Sequence, residues 1–158
     1  MDEIFGVPIQ AFMGQLMLGL VNGSFYALLS LGLAVIFGML NIVNFAHGAL
    51  YMVGAFFAWM LLNYAGIGYW TALLLAPLGV AVIGVVIEKT MLQWLRQLDH
   101  LYGLLLTFGL ALIMEGIFRE FYGSSGLPYD LPDVFRGVFD LGFMMLPKYR
   151  VWVIVMSI

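Results

Sequence analysis

"FGMLNIVNFAHGALYMVGA", residues 37–55, places Asn41, Asn44 and His47 within seven residues of an otherwise apolar stretch. Polar side chains at bilayer depth are costly unless they find partners or serve a purpose. How this string is read decides how the chain crosses a membrane. On a continuous helix the three side chains recur every three residues and would form a narrow polar stripe. On an unwound segment, they and the freed backbone groups would converge on a cavity. Gly48 follows directly and permits a sharp bend or a close backbone approach. The other reading is a tight cytoplasmic turn between two spans, with His47 at the water interface. The residues alone leave both readings open.

Outward from this string the chain stays apolar. Of 158 residues, 64% are hydrophobic and 9% charged, against about a quarter charged in soluble domains. The 19 Gly, 13 Phe, 8 Tyr and 4 Trp are the mixture of packed membrane helices with interfacial aromatics. A soluble globular protein is excluded. The formal net charge of −3 comes from scattered groups, and without a basic patch no nucleic-acid partner is expected. The absence of cysteine removes disulfides, thiolate chemistry and Cys-based metal sites. No nucleophile–base–acid set and no metal-ligand cluster can be composed, so neither catalytic nor metal-binding residues are assigned and the chain is not read as an enzyme. Asp2 and Glu3 stand where a cleaved signal would carry positive charge, so the first apolar segment is read as a retained span.

The fold class expected is an all-α polytopic membrane protein. Its single transmembrane domain, 1–158, holds about four complete helices and the start of a fifth, with a polar break near residues 41–48. Spans are expected at about 16–38, 48–64, 69–87 and 101–118, with an incomplete one at 149–158. The uncharged stretch Ile9–Met39 would reach about 45 Å as helix, beyond a hydrocarbon core of about 30 Å. Its beginning is therefore read as an interfacial lead-in. Pro77 predicts a kink in the third span. The last block reaches only about 15 Å, half a crossing, and the expectation is that this is the amino-terminal part of a longer protein. Lys89 and Arg96 place the turn 88–100 in the cytoplasm. The amino terminus, the Gly66-Ile67-Gly68 turn and a Gly-, Pro- and Ser-rich loop at 119–148 then lie outside. That loop either faces whatever delivers a substrate or is a connector.

Small residues recur at four-residue spacing in the first span: Gly19, Gly23 and Ala27 in one file, Ser30, Ala34 and Gly38 in another. Such files let membrane helices approach closely. Asn22 and Ser24 are expected to face protein or a cavity, Ser24 more simply bonding an i−4 carbonyl. Glu115 precedes Arg119 by four, the favourable order for a helical ion pair.

The string "NGSFYALLSLGLAVIFGMLNIVNFAHGALYMVGAF", residues 22–56, resembles the amino-terminal signature of the permease subunits of bacterial branched-chain amino-acid ABC uptake systems. "IEKTMLQWLRQLDHLYGLLLTFGLALIMEGIFREFYGS", residues 87–124, is similar to that family's charged cytoplasmic turn, next span and outer-loop start. The resemblance implies an ATP-driven importer of branched-chain amino acids working by alternating access in the bacterial inner membrane. It implies a second homologous permease subunit, two cytoplasmic ATPase subunits holding ATP and Mg, and a periplasmic substrate-binding protein. No cofactor is expected in this chain, which has no G-x-x-x-x-G-K-[ST] phosphate loop. Family permeases are nearly twice this length and dock the ATPases through their carboxyl-terminal half. In that picture Asn41, Asn44, His47 and Gly48 lie on or beside the substrate path, and Asn22 faces it from the preceding span. The alternatives are a urea or short-amide permease of the same family, or a non-transporting membrane fragment.

Overall fold

In lipid, backbone polar groups must be satisfied within their own segment, so long uncharged apolar runs fold as helix. The computed structural model describes residues 3–4, 7–40, 44–95, 97–142 and 145–157. Its main elements are α1 (Ile9–Leu40), α2 (Ala46–Ala65), α3 (Tyr69–Ile87), α4 (Gln93–Leu95), α5 (His100–Tyr122) and α6 (Lys148–Ser157). Among the described residues, four helical stretches are long and apolar enough to cross a membrane: Ile9–Met39, Ala46–Ala65, Tyr69–Leu95 and His100–Tyr122. Their outward faces are apolar; Leu74 is 70% and Leu105 68% exposed in the isolated chain, as suits helices whose surroundings are acyl chains.

The chain divides into two compact units, one of Met1–Leu31 with Leu131–Ile158 and one of Gly32–Asp130. In the second unit, α2 packs against both α3 and α5. The α2–α3 connection is a glycine cap. Gly66 adopts φ 63°, which glycine reaches without a Cβ penalty, and the Ile67 N–H bonds the Leu61 carbonyl at 2.9 Å. Small side chains bring the helices together, with Ala72 and Ala76 buried on α3. A Cβ at Gly79 would lie 3.2 Å from Phe57, and one at Gly54 3.4 Å from Val80. Pro77 lies inside α3, which continues on both sides of it.

Polarity misplaces two boundaries. The segment 88–100, read as a turn, begins as helix: α3 runs into a π-helical turn, Glu88–Leu92, and then α4. Glu, Lys, Met, Leu and Gln are all good helix formers, so charge marks an expected membrane boundary there without ending the helix. Before α5 the described backbone leaves helix at 97–99, and the Asp99 carboxylate accepts the Leu101 N–H at 3.0 Å as an N-cap. At the other end α5 continues past residue 119 to Tyr122. The Arg119–Glu115 pair, at 2.9 Å, forms near the end of α5, as the spacing predicted.

The first unit contains a two-residue antiparallel pairing of β1 (Glu3–Ile4) with β2 (Val7–Pro8), and the start of α1. Ser24 donates to the Leu20 carbonyl at 2.9 Å, the i−4 bond expected of it. Within 131–148, where a loop was expected, the described residues include short regular elements, and α6 covers most of the incomplete span expected at 149–158. A 3₁₀ turn, Asp133–Phe135, leads into the hairpin β3 (Val138–Asp140) and β4 (Met145–Pro147), paired Val138↔Pro147, Phe139↔Leu146 and Asp140↔Met145. Phe135 is buried against the rings of Tyr149 and Trp152. The Asp140 carboxylate takes the Gly142 N–H at 2.8 Å, closing the turn side of the hairpin.

Candidate functional site

The helical run breaks between Leu40 and Ala46, at the polar string. Asn44 and Phe45 lie outside helix, and three successive backbone donors, of Phe45, Ala46 and His47, have protein acceptors. The Asn44 side-chain oxygen takes the Ala46 N–H at 2.9 Å. The Asn44 carbonyl takes the His47 N–H at 3.2 Å. The Phe45 N–H reaches across to α5 and bonds the Thr107 hydroxyl at 3.3 Å. Helix starts leave orphan N–H groups that side chains or water satisfy; here three of them are met by protein. Asn44 therefore acts locally as a cap for α2.

His47 is half-buried in the first turn of α2 and lies against α1. A Cβ at Gly32 would fall 2.9 Å from its Cε1 and 3.0 Å from its Nε2, inside carbon contact distance of about 3.5 Å. The imidazole edge fits only because residue 32 has no side chain. The close approach expected at Gly48 is thus at Gly32. Gly48 sits within α2, exposed, with no atom from beyond its own stretch of helix within 4 Å of where its Cβ would stand. A helix already begun at Ala46 has no need of glycine flexibility two residues later.

The structure brings Asn44 and His47 together at this junction and adds Phe45, Gly32 and Thr107. Asn41 lies outside the described residues. Asn22 belongs to the first unit, on an exposed face of α1. Gly19, Gly23, Ala27, Ser30, Ala34 and Gly38 are all exposed, and a Cβ at any of the three glycines would meet no other atom within 4 Å. Close packing in the second unit uses Gly54, Gly79, Ala72, Ala76 and Gly103 instead. Sequence reasoning passed over Thr107 and Gly32, since a single Thr or Gly in an apolar helix carries no mark of its partner.

Aromatic rings gather where α2 and α5 end. Phe56 packs on Phe118 at 4.4 Å between centroids and on Tyr122 at 5.1 Å, and Trp59 meets Tyr122 edge-on at 5.6 Å. The Trp59 indole donates to the Pro128 carbonyl at 3.0 Å, tying the segment after α5 to α2. Tyr129 rests on Tyr69, and burial pushes its phenol above the usual range. Trp59→Phe keeps a ring and removes this one hydrogen bond. It is expected to speed proteolysis within residues 123–130 several-fold with little change in thermal stability, measured by limited digestion of the purified chain.

Comparison with known proteins gives a consistent set of relatives. The profile of the branched-chain amino acid transport system / permease component family matches residues 15–158. LivH of Escherichia coli K12, a high-affinity branched-chain amino acid transport system permease protein, is 29% identical over 139 residues, covering 83% of this chain and 44% of LivH. BraD of Pseudomonas aeruginosa, a permease protein of the same description, is 30% identical over 115 residues, covering 68% of this chain and 38% of BraD. LivM of Escherichia coli K12 is 36% identical over 84 residues, covering 53% of this chain and 19% of LivM. The chain spans less than half the length of these relatives. No solved structure matches.

Proposed function

The chain belongs to the branched-chain amino acid transport system / permease component family, and we propose that it serves as the membrane-spanning permease subunit of an ATP-driven importer of branched-chain amino acids. The observation that carries this reading is the polar string at the connection between α1 and α2. Among the described residues the string sets an amide and an imidazole beside a helix start, between apolar spans. Broken helices at membrane depth are where transporters expose polar groups to substrates. His47 offers a hydrogen-bonding ring for a carboxylate or ammonium group, and the apolar helix faces offer surface for an aliphatic side chain. Asn41, Asn44, His47 and Gly48 line or flank the path in this reading.

Transport by alternating access requires a bias between two states. That bias comes from ATP and Mg at two cytoplasmic ATPase subunits, with a second homologous permease completing the path and a periplasmic binding protein delivering substrate. The membrane is the bacterial inner membrane. The amino terminus and residues 123–148 face outward, and the charged turn before α5 faces the cytoplasm, following Lys89 and Arg96. The exposed small-residue files of α1 are surface for another helix.

The test is uptake of labelled leucine by cells carrying the chain with its partner subunits. His47→Ala is expected to lower uptake with membrane abundance unchanged. Asn44 needs a paired comparison because it also caps α2. Asn44→Ala removes cap and amide together, at a cost of about 1 kcal/mol, and is expected to lower both stability and uptake. Asn44→Ser keeps a capping oxygen and is expected to restore stability while uptake stays low. Normal uptake by the Ser variant would reduce Asn44 to a cap.

A further inference from the structure

We propose that Thr107 is a positioning residue for the α1–α2 junction, holding it against α5 so that His47 keeps its place for transport. The proposal rests on the permease reading and deepens it. Thr107 is 1% exposed and is the largest fully buried side chain among the described residues. Its hydroxyl is used in both directions. The proton goes to the Leu104 carbonyl at 3.1 Å on its own helix, the back-bond usual for a helical Thr. That leaves the oxygen lone pairs, and one accepts the Phe45 N–H at 3.3 Å, from a residue 62 positions earlier.

Phe45 is the residue from which α2 starts, where the first N–H groups of a helix have no partner within the helix itself. Ala46 and His47 find their acceptors on Asn44; Phe45 finds its acceptor on another helix. The next residue of α5 supports the same point from outside, since the rings of Phe45 and Phe108 meet edge-to-face at 6.2 Å and 79°. Two consecutive residues of α5 thus hold the backbone and the side chain of one junction residue. His47 follows two positions later with its ring edge over Gly32, so displacement of Phe45 carries His47 away from α1.

Two variants separate the hydroxyl from the bulk of the side chain. Thr107→Val keeps the branched shape and removes both donor and acceptor, whereas Thr107→Ser keeps the hydroxyl and loses a methyl group. One readout is independent of transport: amide hydrogen exchange of the full chain in lipid nanodiscs, followed at Phe45. The Val variant is expected to exchange there roughly tenfold faster, the factor produced by about 1.4 kcal/mol of opening free energy. The Ser variant is expected to match the parent. In cells with the partner subunits, Thr107→Val is expected to lower leucine uptake severalfold at unchanged abundance, with Ser restoring it. In a His47→Ala background, Thr107→Val is expected to add no further loss, as two residues acting as one unit require. Unchanged exchange in the Val variant overturns the proposal, as does a Ser variant that fails like Val, or a full additional loss in the His47→Ala background. A parent that imports no branched-chain amino acid overturns the permease reading instead, and Phe45 exchange still decides whether Thr107 holds the junction.

Discussion

Gly32→Val is expected to eject the His47 ring from its place on α1, with loss of both uptake and stability. The first added atom already falls 2.9 Å from His47 Cε1, and valine adds two methyl groups beyond it. Overpacking of this kind costs about 1–3 kcal/mol, and a β-branched side chain has little rotamer freedom on a helix with which to avoid the contact. Gly32→Ala is milder because an imidazole can swing about its own torsions. It is expected to keep membrane abundance near normal while the ring moves and uptake falls. Combining Gly32→Ala with His47→Ala removes the clash, so the double variant is expected to regain the parent's thermal midpoint without regaining uptake. Thermal unfolding of purified protein, read beside leucine uptake, separates these effects. A Gly32→Val variant with normal midpoint and normal uptake would mean that His47 does not lie against α1.

The sequence reaches some of this structure and stops short of the rest for identifiable reasons. Patterns carried by neighbouring residues are legible. Gly66-Ile67-Gly68 marks the α2–α3 turn because a left-handed cap requires glycine, and it is found there. Glu115 and Arg119 pair at one helical turn. The connection between α1 and α2 falls at the string that Asn44 and His47 mark. Features that depend on a distant partner are silent. Thr107 matters through Phe45, and Gly32 through His47, and neither relation leaves a periodic trace. Helix propensity also ignores the membrane boundary. Glu88 and Lys89 look like the end of a span, yet the backbone coils on through a π-helical turn to Leu95. The short β3–β4 hairpin escapes for a different reason: three-residue strands give no alternation to count.

Leucine at Gly79 and leucine at Gly23 are expected to behave oppositely, although both replace a helical glycine in an apolar span. At Gly79 a Cβ alone would stand 3.2 Å and 3.3 Å from two atoms of the Phe57 ring, and the remaining leucine atoms must enter the volume that the ring occupies. The α2–α3 interface cannot relax by moving a flexible side-chain end, because the obstacle is a rigid aromatic. A loss of about 1–3 kcal/mol is expected, appearing as a thermal midpoint lowered by several degrees and as reduced abundance. Phe57→Ala in the Gly79→Leu background vacates the space and is expected to recover part of the loss. At Gly23 a Cβ meets no other atom within 4 Å, and the residue is exposed on α1. Leucine there gains helix propensity over glycine, somewhat less than the about 0.8–1 kcal/mol that separates alanine from glycine, so the purified chain is expected to melt no lower than the parent. If Gly23→Leu instead destabilises the isolated chain as much as Gly79→Leu, the Gly19–Gly23–Ala27 file packs within the chain's own fold. If only the assembled transporter suffers, the file meets a helix that another subunit supplies. Four-residue spacing of small residues says that a helix can be approached closely; only the space around each glycine says what approaches it.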